Sequence, residues 1–149
     1  MNGGEMMTKI QVKKTIDAPA KKVWQTIRSF ENPERFVPIV KSSSVQRTGD
    51  SAQRTCIIQM GSQEGRLVEQ LQKVDDEHKV LEFSITEAPP PFAGLLNRYE
   101  ITSLSDGKTE VTISTDLENG QPEVVKTIEG IFQMAANGLK KLHEKEVNP

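Results

Sequence analysis

Apolar and polar side chains alternate along residues 8–16, with Ile10, Val12 and Ile16 on one side and lysine and glutamine residues on the other. A period of two is typical of a strand that buries one face. We therefore expect a half-buried strand over residues 8–16.

The spacing of apolar residues changes after this strand. Val23, Ile27 and Phe30 recur at intervals of three and four residues, and Pro19 suits the first turn of a helix, where a missing N–H costs nothing. The sequence ENP breaks the predicted helix, and PERFVPI then predicts a second, short helix that ends before Pro38. Two short helices are therefore expected after the first strand.

From residue 41 to residue 118, short alternating segments are separated by turn-forming sequences rich in glycine, aspartate and proline. Turns that recur about every dozen residues predict an antiparallel meander. The six strands expected here cover residues 41–48, 52–60, 65–74, 79–87, 96–104 and 109–118.

The last segment of the sequence predicts one long helix. Its apolar stripe consists of Val124, Ile128, Ile131, Ala135, Leu139 and Leu142. The order of one strand, two helices, six strands and one helix indicates an α+β domain, in which a seven-stranded antiparallel sheet curls around the last helix. We expect one domain over residues 8–146, preceded by a disordered segment over residues 1–7.

The composition argues against several classes of protein. The 149 residues carry a formal charge of −2 without a run of lysine or arginine, which argues against a nucleic-acid partner. Cys56 is the one cysteine, so an internal disulfide is excluded, and with two distant histidines it does not form a convincing metal site. No stretch approaches the ~18 apolar residues of a transmembrane helix, and the N-terminus lacks the pattern of a secretory signal. We expect a cytoplasmic monomer or weak homodimer without cofactor, metal or membrane insertion.

Polar residues recur at strand positions where the alternation predicts core. They are Lys41, Ser43, Arg54, Glu69, Asn97 and Tyr99. A solid core does not favour them, because an unpaired buried charge costs several kcal/mol and a paired one gains little over an apolar residue. A ligand cavity does favour them, since its apolar walls carry a few polar groups. The pattern therefore predicts a partly polar cavity on the concave face of the sheet.

The last helix carries small residues beside its apolar stripe. Gly130, Met134 and Gly138 are four residues apart, and each glycine costs ~1 kcal/mol relative to alanine inside a helix. Two explanations stay open at this point. The glycines leave room for the cavity, with Met134 as an adaptable wall, or they permit close backbone packing.

Three segments of the sequence resemble one family: IDAPAKKVWQTIRSFENPERFVPIVKSSSV, RLVEQLQKVDDEHKVLEFSI and NRYEIT. They are similar to the START-like, birch-pollen-allergen superfamily (SRPBCC), which includes the polyketide cyclase/dehydrase-like proteins. The resemblance covers nearly all of residues 8–145. It implies a helix-grip fold, in which a seven-stranded antiparallel sheet wraps a long C-terminal helix and leaves an internal cavity between them.

Within that superfamily, the pocket of the plant abscisic-acid receptors resembles this sequence locally. Lys41 in KSSSV and Glu69 in EQLQKVDDE match the pocket lysine and glutamate of those receptors, and Phe83, Ile85 and Tyr99 match their inward-facing residues. The gate and latch sequences of the receptors are replaced here by MGSQEG and APPPFAGLL. A hormone-receptor role is therefore not implied, and only the pocket carries over.

Several candidate residues keep a structural alternative. Lys41 is either a ligand-binding cation or an exposed lysine at the end of a strand, and Glu69 either contacts ligand or pairs with Lys41 or Arg54. Phe92 either closes the cavity mouth or packs as a hydrophobic plug on the first helix. The full set of candidate ligand-binding residues is Lys41, Arg54, Ile58, Glu69, Phe83, Ile85, Phe92, Tyr99, Met134 and Gly138.

Two functions follow from this set. The first is binding or transport of a small hydrophobic molecule with a polar or acidic oxygen, which Lys41 holds directly or through water. The alternative is an enzyme of the polyketide cyclase, aromatase or dehydratase type. In that case Glu69 or Tyr99 is the general acid or base, and Lys41 or Arg54 stabilises an enolate. No histidine falls at a plausible inner position, which weakens the enzyme hypothesis.

Overall fold

The computed structural model describes residues 6–147 of the chain. This part of the chain forms seven strands, two α-helices and one turn of 3-10 helix. In chain order they are β1 Met7–Ile16, α1 Ala20–Arg28, the 3-10 turn Pro33–Arg35, β2 Val40–Thr48, β3 Ser51–Met60, β4 Gln63–Asp75, β5 Val80–Glu87, β6 Leu96–Ser105, β7 Lys108–Glu118 and α2 Pro122–Val147.

The strands form one antiparallel sheet of order β1-β7-β6-β5-β4-β3-β2. Strands β2 to β7 are a meander, because short turns join antiparallel neighbours directly. β1 instead pairs with the last strand, from Met7 opposite Glu118 to Ile16 opposite Thr109. The first and last strands of the chain are therefore neighbours, and β1 and β2 form the two edges of the sheet.

The sheet curls around α2, and the core lies between them. Val12 of β1 and Ile113 of β7 are buried in the same cluster as Ile128 and Leu139 of α2. The strand residues follow the period of two and the helix residues follow the helical spacing, as the sequence predicts. The predicted α+β, helix-grip architecture is confirmed.

The segment between α1 and β2 is less helical than expected. The second predicted helix is a single 3-10 turn. Left-handed backbone angles at Phe30 and Asn32 (φ 60° and 53°) separate it from α1, and the non-helical angles of Phe36 (φ −136°) end it. At the N-terminus, β1 already includes Met7. The predicted disorder of residues 1–7 otherwise falls on residues 1–5, which lie outside the described part of the chain, and it stays a prediction there.

Lys41 does not face the inside of the sheet, and that prediction is wrong. Val40 lies opposite Ile58 and Ser42 lies opposite Ile57, so Lys41 is the extra residue of a β-bulge in β2. The bulge changes the alternation by one position, and Val40 is buried instead. Lys41 is exposed, and its Nζ lies 3.0 Å from Oε2 of an exposed glutamate, Glu64.

Helix α1 is joined to the sheet through Asp76, in the turn between β4 and β5. The indole Nε1 of Trp24 donates to Asp76 Oδ1 (2.8 Å), and Arg28 donates from Nε to Oδ1 (2.7 Å) and from Nη2 to Oδ2 (3.0 Å). These hydrogen bonds, the one from Arg28 first, hold the pKa of Asp76 below its usual range. The contact fixes α1 across the end of the cavity-forming strands.

Candidate functional site

A cavity lies between the sheet and α2. Its volume is about 80 Å³. Strands β2 to β6, the residues from the 3-10 turn to β2, the segment between β5 and β6, and one face of α2 form its walls. Apolar residues of these walls include Ile58, Leu67, Ile85, Phe92, Leu95 and Phe132.

The polar residues of the cavity come from facing strands in register. Arg54 of β3 lies directly opposite Glu69 of β4, and Phe83 of β5 lies opposite Asn97 of β6. Tyr99 is two residues after Asn97 and therefore lies on the same face of β6. Because the sheet is concave, all five side chains meet at the cavity.

Arg54 and Glu69 form a buried ion pair. Arg54 Nε donates to Glu69 Oε1 at 2.6 Å, and only 9% and 5% of the two side chains are exposed. The guanidinium carbon lies 4.1 Å from the ring centroid of Phe30 and 5.1 Å from that of Phe83. Arg54 Nη1 also donates to the backbone oxygen of Phe30 at 3.4 Å. Both the charge and the planar face of Arg54 are therefore partnered inside the protein.

The pKa shifts of Arg54, Cys56 and Tyr99 keep these three groups in their ordinary charge states at neutral pH. Burial lowers the pKa of Arg54, but the Glu69 charge and hydrogen bond raise it by more, so the guanidinium stays charged. Burial, followed by the charge of Glu69, raises the pKa of the Cys56 thiol to about 12. Burial also raises the pKa of the Tyr99 phenol. Cys56 is thus a protonated thiol, 3.7 Å from Glu69 Oε1, and it is not an activated nucleophile.

One polar atom of β6 has no partner within the described part of the protein. The Oδ1 atom of Asn97 is fully buried without a hydrogen bond. An unsatisfied buried acceptor costs ~1–3 kcal/mol. Such atoms are unusual in a solid core and are expected where another molecule supplies the missing hydrogen bond.

The structure divides the predicted site residues into two groups. The polar residues Arg54, Glu69 and Tyr99 line the cavity, and so do the apolar residues Ile58, Phe83, Ile85 and Phe92. Lys41, Met134 and Gly138 do not line it. The role of the lining residues in ligand binding stays a prediction.

Gly138 serves close packing, which was one of the two explanations left open. A Cβ atom at this position would lie 2.6 Å from the carbonyl carbon of Phe36, so only glycine lets α2 contact that backbone without a shift. Met134 is half-buried beside the cavity-lining Ala135 and does not reach the cavity. The four-residue spacing of Gly130, Met134 and Gly138 places them on one face of α2, but it does not indicate which part of the protein packs against that face.

Phe132 and Leu95 line the cavity and were absent from the candidate set. Phe132 lies four residues after Ile128 and so belongs to the apolar stripe of α2, which was a usable signal. Leu95 lies in a segment without periodicity, between β5 and β6, where no pattern indicates the direction of a side chain. Asn97 had been recognised as an inward polar residue but was not chosen as a ligand contact.

The described residues contain neither a membrane-spanning helix nor a metal centre. Within residues 6–147, no helix is both long and apolar enough to cross a membrane. In the same part of the chain, no three histidine, cysteine, aspartate or glutamate residues lie close enough to hold a metal ion.

Comparison with known proteins gives both a family and related folds. Residues 7–144 match the family model described as polyketide cyclase / dehydrase and lipid transport. The abscisic acid receptor PYL2 of Arabidopsis thaliana is 39% identical over 72 residues, which is 47% of this chain and 38% of the receptor. The alignment thus spans well under half the length of that relative.

Two solved structures share the fold at low sequence identity. A START superfamily protein from Mycobacterium smegmatis has a TM-score of 0.79 at 16% identity, covering 92% of this chain and 97% of that one. The Zhui aromatase/cyclase from Streptomyces sp. R1128 has a TM-score of 0.75 at 12% identity, covering 96% and 97%. The two structures share the helix-grip fold. The family match confirms the resemblance found in the sequence: the chain belongs to the polyketide cyclase/dehydrase and lipid transport family.

Proposed function

We propose that the protein binds a small, mostly apolar molecule in the cavity between the sheet and α2. The observation that carries this proposal is the set of polar atoms on the apolar wall, above all the buried Asn97 Oδ1 that no protein group satisfies. A core that served stability alone would gain by replacing such atoms with apolar ones. A binding site uses them to orient a ligand.

The size of the cavity limits the ligand. The cavity volume of about 80 Å³ is roughly half that of an engineered cavity of about 150 Å³ that holds benzene. A substituted aromatic ring therefore enters only with movement of the walls, and a long polyketide chain requires a wider opening.

The geometry favours binding over acid–base catalysis. Glu69 is held in an ion pair with Arg54, and burial raises the pKa of the Tyr99 phenol, which therefore stays protonated and does not act as a base at neutral pH. Relatives of this fold are named both as a receptor and as an aromatase/cyclase, so the fold itself does not decide between the two functions. The polar wall of the cavity supports the binding role.

Native mass spectrometry of freshly purified protein tests the proposal, together with a variant that fills the cavity. Ala135→Leu adds three carbon atoms on the α2 wall, and Ile58→Phe enlarges the opposite wall as an independent filler. We expect a small molecule to co-purify with the parent protein and to be lost from both folded variants. Retention of the same molecule by both filled proteins would place the binding site elsewhere.

A further inference from the structure

The charges on the cavity wall are already balanced within the protein. Among the described lining residues, only Arg54 and Glu69 are charged, and they lie 2.6 Å apart as a pair of opposite sign. Cys56 and Tyr99 are neutral at physiological pH because burial raises the pKa of each. Lys41, the cation predicted to receive an acidic ligand, is outside and faces Glu64.

An ionised ligand would therefore disturb this balance. A carboxylate in the cavity would share Arg54 with Glu69 and leave a net buried negative charge, and the desolvation of such a charge costs several kcal/mol. An ammonium group would leave a net positive charge at similar cost. The wall thus discriminates in favour of a molecule without net charge.

The hydrogen-bonding groups of the wall show a second preference. Asn97 Oδ1 is a buried acceptor without a donor, and the Glu69 carboxylate only accepts hydrogen bonds. Tyr99 can donate or accept. The wall also carries donors, and Arg54 directs two of its own to Glu69 and to the backbone oxygen of Phe30. The unsatisfied acceptor Asn97 Oδ1 is satisfied by a ligand that supplies an O–H, and a ligand with only acceptor oxygens leaves it unsatisfied.

We propose, on the basis of the proposed function, that the cavity selects a neutral molecule bearing a hydroxyl group, which donates a hydrogen bond to Asn97 Oδ1. A small phenol or alcohol belongs to this class, and a carboxylic acid, ionised at neutral pH, does not. The hydroxyl lies at the polar wall, and the remainder of the molecule contacts the apolar residues of the cavity, such as Ile85 and Phe132.

Four probes that share the ethylbenzene skeleton test the inference by isothermal titration calorimetry at pH 7: 4-ethylphenol, ethylbenzene, 4-ethylanisole and 4-ethylbenzoate. The ether is close in size to the benzoate and therefore controls for the size of the substituent. We expect 4-ethylphenol to bind roughly two- to tenfold more tightly than the hydrocarbon and the ether, which cannot donate a hydrogen bond. We expect 4-ethylbenzoate to bind at least roughly a hundredfold more weakly than the phenol.

A variant at Asn97 identifies the acceptor. In Asn97→Leu the preference for the phenol over ethylbenzene should fall to about one, while ethylbenzene still binds. Gln72→Leu is a matched control, because it also exchanges an amide for leucine but lies exposed on the sheet, where its Nε2 donates to Ser84. This control should keep the preference of the parent protein.

The outcomes separate the inference from the function on which it rests. If ethylbenzene and the ether bind as tightly as the phenol, the role of the hydroxyl is wrong while cavity binding stands. If the benzoate binds as well as the phenol, the exclusion of charge is wrong. If none of the four probes binds to the parent protein, the proposed function fails and the inference fails with it. These comparisons need only the parent protein, so they hold even if Asn97→Leu does not fold.

Discussion

The strongest energetic consequence of the structure concerns the ion pair inside the cavity. In Glu69→Gln the side chain keeps its shape and one acceptor oxygen but loses its charge, so Arg54 becomes a buried cation without a counter-ion. Removing one partner of a buried pair costs about 3–5 kcal/mol. The short Nε–Oε1 distance of 2.6 Å and the low exposure of both side chains, 9% and 5%, place this pair in that class.

The assay is urea unfolding followed by circular dichroism, on Glu69→Gln, Arg54→Met and the double variant. We expect each single variant to lose about 3 kcal/mol in the free energy of unfolding, which lowers the melting temperature by roughly 6–12 °C. The double variant removes both charges, so its loss should be well below the sum of the two single losses. Losses that simply add would refute the reasoning, because they would mean that the two charges do not stabilise each other.

Three further predictions concern positions outside the cavity. Asp76→Asn should lower the melting temperature at pH 7 but not at pH 2. The hydrogen bonds from α1 lower the pKa of Asp76, so its stabilising contribution is present above the unfolded-state pKa and is lost as the pH falls through the folded-state pKa. Equal decreases in melting temperature at both pH values would contradict this. In urea unfolding, Gly138→Ala should lower the free energy of unfolding by about 1–3 kcal/mol, because the added Cβ meets a backbone carbonyl group. Gly130→Ala has open space around it and should raise the free energy of unfolding by about 0.5–1 kcal/mol. A change of the same sign in both variants would contradict this prediction. Lys41→Met should change the free energy of unfolding by less than about 1 kcal/mol, because the ion pair of Lys41 with Glu64 is exposed. The variant should also bind 4-ethylphenol as tightly as the parent protein. A loss of affinity in calorimetry would show that Lys41 contributes to the binding site.

Most of the fold was predictable from the spacing of apolar residues along the sequence. Alternation in β1 and in the meander strands, and the helical spacing of α2, depend on which side chains are apolar and therefore appear directly in the sequence. The pairing of β1 with β7 is not recorded in either strand, and the sequence did not predict it. The second short helix was predictable from PERFVPI, but its 3-10 form and the left-handed angles at Phe30 and Asn32 are not visible in a pattern of hydrophobicity.

The site was predictable as far as the alternation stays regular. Arg54 and Tyr99 fall where the pairing is regular and lie where the parity places them. Glu69 lies beside a register shift, but the extra residue there is Thr86 of β5, so the alternation of β4 still places Glu69 inside. Lys41 lies at a bulge, where one extra residue reverses the parity, and no feature of KSSSV signals it. Gly138 is a second residue whose role the sequence did not decide. Residue spacing assigns it to one face of α2 but does not predict that the backbone of Phe36 packs against it.

The central claim is that a small neutral molecule lies inside the cavity, and intermolecular nuclear Overhauser effects test it most directly. In the complex with 4-ethylphenol, the ring and ethyl protons should show cross-peaks to the inward-facing methyl groups of Ile58, Ile85 and Ala135. The exposed methyl groups of Leu104 should show none. Cross-peaks to Leu104 or other surface methyl groups, without any to the three cavity residues, would contradict the account.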